Sequence, residues 1–207
     1  DNASFSLAGN QLRTAAKFDY ETKASYAIRV RTTDQDGLFV EQTFTIQVTN
    51  RTELTGLDVQ GAQVQRSYVR NVDLVFDDST GLSSLLTGNR LRLTKYDLNG
   101  ANGVVQPLPT SSAVGNRLKL DFGVAGIGGS KSTNTGDGYY ELAVDADGDG
   151  SLESVKHFYR LLGDVNSDRQ VDSVDAALIL AAYGTTNPDR DVNADGAVNS
   201  VDRTLAV

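Results

Sequence analysis

The chain has 207 residues, 39% of them hydrophobic, and a formal net charge of −8. That is enough apolar material for one large domain or two to three small ones, and the acidity argues against nucleic acid as a partner while suiting a cation. With no cysteine, disulfides, thiolate chemistry and Cys-ligated zinc are excluded.

There is no methionine either, so the sequence is read as a processed or cut piece of a longer protein. The longest strongly apolar run, AALILAAY at Ala176–Tyr183, is too short to cross a bilayer.

Residues 1–53 read as strands. SYAIRVRTTD and FTIQV alternate apolar and polar residues, and AGN and DQDG mark turns between runs. Fifty residues of strand make a poor domain alone, so this block is expected to be part of a β-sandwich. FDYE (Phe18–Glu21), TDQDG (Thr33–Gly37) and FTIQVTN resemble the second half of a cadherin repeat. The resemblance implies a cadherin-like fold and calcium at Asp19, Glu21, Asp34 and Asp36. The linker TNRTE departs from that family in lacking an Asp pair, and turn or surface roles for these acids remain the alternative.

Residues 54–162 continue in strands: SYVRNVDLVF, NRLRLTKYDL, NRLKLDFGV, YYELAVD and HFYRLL, divided by Gly, Asn and Ser clusters. Short alternating strands at this spacing predict a second antiparallel sandwich, Ig-like in character. Between YYELAV and HFYRLL lies DADGDGSLES, in which Asp145, Asp147, Asp149 and the carbonyl of Ser151 fall at alternate positions. It reads either as a cation site completed by Glu153 or another loop, or as an Asp/Gly hairpin turn.

After Gly163 the period changes. VDAALILAAYG predicts a helix, with Ser173 placed to cap its start and Gly184 to end it, and SVDRTLAV begins a second. Each follows an acidic string, GDVNSDRQVDSVD or RDVNADGAVNSVD, and Asp164 and Asp191 lie 27 residues apart. A calcium ion takes six to eight oxygens, which a twelve-residue loop supplies from positions 1, 3, 5, 7, 9 and 12. The first copy then offers Asp164, Asn166, Asp168, the Gln170 carbonyl, Asp172 and Asp175. The second offers Asp191, Asn193, Asp195, the Ala197 carbonyl, Asn199 and Asp202. Val171 and Val198 stand at position 8, where they are expected to pair the loops and pack inward.

Electrostatics points the same way: two carboxylates about 4 Å apart repel by about 4 kcal/mol at an effective dielectric of 20. Residues 163–207 hold eight Asp against three Arg, a charge that two Ca²⁺ ions would largely offset. A segment of this size also needs a staple, which couples metal binding to folding.

The paired strings resemble a type I dockerin. That resemblance implies two calcium sites and docking onto a cohesin-like partner, with contacts read at Ser173, Val174, Ser200 and Val201. The identical Ser-Val pairs imply that either repeat can present the face. Position 6 is Gly196 in the second loop but Arg169 in the first, which predicts backbone strain there.

No catalytic group stands out. The single histidine, His157, is expected to be half-buried and structural, and no nucleophile elbow or phosphate-binding loop is present. The expected architecture is mainly β: a partial cadherin-like sandwich (1–53), a sandwich (54–162) and a helical, dockerin-like repeat pair (163–207). The expected role is a non-catalytic calcium-binding tail of a secreted or cell-surface protein, for attachment or adhesion. A calcium-stabilised cap on its own sandwich, or an accessory part of a polysaccharide-degrading enzyme, are the alternatives.

Overall fold

The computed structural model describes residues 1–207 and divides them into two compact units, Asp1–Arg51 and Thr52–Val207. The chain is mainly β, with four antiparallel sheets and only two short α-helices. No helix is long and apolar enough to cross a membrane.

In the first unit, β1 (Phe5–Ala8) and β2 (Gln11–Thr14) form one hairpin, and β3 (Ser25–Thr33) and β4 (Phe39–Gln47) form another. Two-stranded sheets bury little, and Ile28 is the only apolar side chain here that is fully covered. The N-terminus holds the outer edge of β3 by imitating a strand. The Asp1 ammonium donates to the Ala27 carbonyl, and the Asn2 side chain both donates to and accepts from the Arg29 backbone. Phe5, Phe18 and Tyr26 make an aromatic cluster beside it, with Phe18 and Tyr26 stacked at 4.2 Å.

The second unit contains two four-stranded sheets. One runs in the order β5 (Leu54–Val59), β6 (Asn71–Phe76), β10 (Arg117–Asp121), β9 (Thr110–Val114). The other runs β12 (Ser154–Arg160), β11 (Gly138–Val144), β7 (Leu91–Tyr96), β8 (Val104–Gln106). Their alternating inward residues share one core: Val72, Leu74, Phe76, Leu118 and Leu120 from the first sheet, with Leu93, Tyr140, Leu142, Val144 and Phe158 from the second. This is a two-layer β-sandwich. GLSSLL closes one side as a short 3₁₀ turn, burying Leu82 and Leu85.

The two helices, α1 (Ser173–Ala181) and α2 (Ser200–Leu205), lie against each other over a second, smaller cluster of Val165, Ile179, Val192, Val198 and Ala206. Three local expectations need correction. The cap of α1 is Asp172 rather than Ser173, because Asp172 and Asp175 form a reciprocal capping box with the first turn. Val171 and Val198 do not pair: Val198 exchanges hydrogen bonds with Gly184 and Thr185 just beyond α1, while Val171 stays 36% exposed. His157 is not half-buried, since its side chain is 67% exposed on β12, with Nε2 3.5 Å from Glu141.

Candidate functional site

Three acidic loops of the second unit share one backbone conformation. Counting from Asp145, Asp164 and Asp191 as position 1, positions 4 and 6 have positive φ in every case: Gly148 and Gly150, Ser167 and Arg169, Ala194 and Gly196. This winding turns backbone N–H groups toward the acids. The carboxylate at position 1 accepts from the N–H at position 6, at 3.1 Å from Gly150, 3.1 Å from Arg169 and 2.7 Å from Gly196. The side chain at position 3 accepts from the N–H at position 5, and the acid at position 5 from the N–H at position 7. Asp145, Asp147 and Asp149 therefore accept the same backbone N–H groups as the residues at matching positions of the other two loops, and Ser151 holds position 7.

The loops differ in what closes them. In the paired repeats the acid at position 12 is fully buried and reaches back to the start. Asp175 accepts from Val165 N and Asp172 N, and Asp202 accepts from Val192, Asn193 and Asn199 N. Gln170 and Ala197 hold position 7, and Asp172 and Asn199 serve at position 9 as helix caps. In the first loop the Asn166 amide donates to Asp168, and in the second Asn193 donates to Asp195, both at the far side of the ring.

The hairpin between β11 and β12 has no position 12 acid; Lys156 turns away and donates to the Thr55 carbonyl. Glu153, at position 9, closes it by accepting from Ala146 N at 2.9 Å. Carboxylate oxygens of Asp145, Asp147, Asp149 and Glu153 all lie within 4.8 Å of one another, and this group can hold a metal ion. It is the one such convergence of three or more acidic groups in the chain. The donor set is all oxygen, which fits a hard cation and not a thiophilic one.

Burial acts on these acids. Asp191 is held above the ordinary carboxylate range, first by burial, with the charges of Asp202 and Asp195 adding to it against the Gly196 and Asp195 N–H groups. The Tyr159 hydroxyl is likewise pushed well above its usual value by burial and by its hydrogen bond to Asp164.

A strap at 63–67 fastens the repeats to the sandwich. Arg66 N donates to the Asp164 carbonyl at 2.8 Å, Ser67 Oγ to the Val192 carbonyl at 3.2 Å, and Val64 N to Asp189 at 2.9 Å. Lys131 reaches the Ala194 carbonyl, and the Ser167 hydroxyl meets the Val64 carbonyl. Beside the first loop lies a cleft of about 510 Å³ whose lining includes Arg66, Tyr139, His157, Tyr159 and Arg169. The Arg169 guanidinium lies over the Tyr139 and Tyr159 rings at 5.9 and 5.6 Å.

The four residues read as partner contacts lie on the first turns of the helices. Ser173 and Ser200 are exposed, and Val174 and Val201 are each 50% exposed. In the first unit, Asp19 accepts from Thr22, which lowers its pKa, and Asp34 accepts from Asp36 N and Leu38 N. Those are turn-forming roles. Nothing in the sequence pattern points to Tyr159, Ser67, Lys131 or Asp189; each works through a contact between segments far apart in the chain.

No protein-family model, curated protein or solved structure matches the chain.

Proposed function

We propose that the second unit is a non-catalytic, calcium-binding module of a secreted or cell-surface protein, and that its two helix starts form a docking face of the dockerin type. The observation that carries this reading is the three-fold recurrence of one loop conformation, in which acids and amides at alternate positions accept backbone N–H groups, together with the convergence of four carboxylates in the hairpin copy. Carboxylates gathered as they are in the hairpin repel one another and gain most from a hard divalent ion. Calcium suits them better than magnesium, because each string offers more oxygens than an octahedral ion takes from protein.

Exposure of Val174 and Val201 at equivalent places on α1 and α2 supports attachment to a cohesin-like partner or surface component. A second reading is favoured by the strap at 63–67, which fastens both loops to the sandwich: the repeats are then a calcium-stabilised cap for their own domain. The two readings share the metal and differ in the exposed face.

Calorimetric titration of chelator-stripped protein with Ca²⁺, alongside thermal unfolding, tests the shared part. Uptake of two or three ions with a higher Tm is expected. No heat and an unmoved Tm would end the calcium reading. Val174→Asp with Val201→Asp then separates the two: loss of surface or partner attachment without loss of Tm marks docking.

A further inference from the structure

The two paired loops differ at position 1. A carboxylate offers about four lone-pair directions. Asp164 fills them with protein donors: Asn166 N at 3.3 Å and Ser167 N at 2.7 Å on Oδ1, Arg169 N at 3.1 Å and the Tyr159 hydroxyl at 2.7 Å on Oδ2. Asp191 accepts only Asp195 N at 3.1 Å on Oδ1 and Gly196 N at 2.7 Å on Oδ2. At the other loop positions the copies match donor for donor with two exceptions: Asn193 N goes to Asp202 whereas Asn166 N goes to Asp164, and the Ala197 carbonyl at position 7 accepts the Asn199 amide at 3.3 Å, which Asp172 cannot offer to Gln170. The residue 27 positions after Tyr159 is Thr186, which is exposed and makes no such bond. Asp145, in the hairpin, resembles Asp191 in its backbone donors, Gly148 N and Gly150 N, one on each oxygen, and differs in the Arg90 guanidinium that stands 4.0 Å from its Oδ2.

A cation entering the first loop through Asp164 must displace one of these donors. Tyr159 is the only side chain among them, and it stands on β12 with 8% exposure, its ring packed under Arg169. Losing its acceptor there would leave this buried hydroxyl only the Ser167 side chain as a partner. A cation entering at Asp191 displaces no side-chain donor from that carboxylate, and one entering at Asp145 meets only the Arg90 guanidinium, whose Nε lies 4.0 Å from Oδ2.

We propose that the Tyr159 hydroxyl takes the place of a cation at the first loop, so that the second loop and the acidic hairpin fill with calcium first and the first loop fills last. Tyr159 is thus a positioning residue that lets one repeat stay closed without metal. This inference rests on the calcium reading above.

The test is calorimetric titration of the chelator-stripped full chain with Ca²⁺, comparing wild type with Asp168→Asn (first loop), Asp195→Asn (second loop) and Tyr159→Phe. Asp168→Asn is expected to remove the weakest binding event and Asp195→Asn a tighter one. Tyr159→Phe is expected to tighten the weakest event at least fivefold and leave the others in place. The order of the two loop variants does not depend on how well Tyr159→Phe folds. Loss of the tightest event in Asp168→Asn, or a first loop weakened or unmoved by Tyr159→Phe, overturns the proposal while calcium binding stands. No uptake in any variant overturns both readings together.

Discussion

Asp172 and Asp175 hold each other's segment of backbone: Asp172 Oδ1 accepts from Val174 N at 2.7 Å, and Asp175 Oδ2 accepts from Asp172 N at 3.0 Å. Asp175 Oδ1 also takes Val165 N at 2.9 Å, from the opening of the same loop. One buried carboxylate therefore caps a helix and closes a ring, with no metal required for either task. Asp202 repeats the arrangement ten residues from Val192.

Replacing Asp175 by Ala leaves two N–H groups without their acceptor, one of them in the fully buried Val165. At about 1–3 kcal/mol for each of the two unsatisfied groups, the expected loss is about 2–6 kcal/mol. Urea unfolding in chelator measures it free of any contribution from calcium. An equal loss in chelator and in calcium would mean that Asp175 serves the fold alone. A larger loss in calcium would mean that it also binds the ion.

Arg169 sits at φ 70 where the other two loops place Gly150 and Gly196. A side chain in that region costs about 1–2 kcal/mol, and the guanidinium over two tyrosine rings returns about 0.5–1 kcal/mol for each exposed contact. Arg169→Ala keeps the strain and loses the rings, so it should be the least stable of the series. Arg169→Gly loses the rings but relieves the strain, and should exceed the Ala variant by about 1 kcal/mol. If Ala and Gly melt together in thermal unfolding, the left-handed backbone at this position carries no strain.

The sequence makes the local physics of this chain legible and leaves its long-range contacts hidden. Alternation in SYAIRVRTTD, NRLKLDFGV and YYELAVD marks strands that do form, as β3, β10 and β11. The spacing of Asp, Asn and Asp marks loops whose winding is set by positive φ at two positions. The pairing of β5 with β6 and of β6 with β10 depends on which apolar faces meet, and no period of 2 or 3.6 encodes that. The same limit applies at the site. The acid that the twelve-residue pattern calls for at position 12 is absent from the hairpin, where Lys156 stands instead. Glu153 closes that loop only because the turn brings position 9 back to Ala146 N.

Arg160 is the largest fully buried side chain in the protein and reaches three segments at once. Its Nε donates to the Ser67 carbonyl at 2.7 Å, and Nη1 donates to the Thr133 carbonyl at 2.7 Å and to Asp137 at 2.5 Å. Burial raises the pKa of Asp137 and lowers that of Arg160, so each charge is tolerated for the sake of the other. Arg160→Met breaks the pair and leaves Asp137 charged in a covered place, at an expected loss of about 3–5 kcal/mol. Asp137 would then be raised further, and a carboxyl raised above its unfolded value protonates first in the folded state. The variant should therefore regain stability as pH falls toward that raised value, the opposite of ordinary acid denaturation. Denaturant unfolding at about pH 7 and about pH 5 checks the sign. A variant that only weakens with acid would show that Asp137 escapes to solvent.

The raised pKa of Asp191 gives the calcium reading a pH signature of its own. Without a cation, ionising this buried acid beside Asp195 and Asp202 opposes folding, so the unliganded unit gains stability as pH falls through the folded pKa. A cation needs the carboxylate ionised, so protons compete with it over the same range. Calcium affinity at the second loop is therefore expected to hold steady near neutrality. Below the folded pKa of Asp191 it should drop by about tenfold per pH unit for each proton displaced. The chelated and calcium-loaded Tm values should converge over that range. Asp191→Asn removes the titrating group, and with it the pH dependence, while weakening binding at every pH. If the variant keeps the wild-type slope, Asp191 is not the group for which protons and calcium compete.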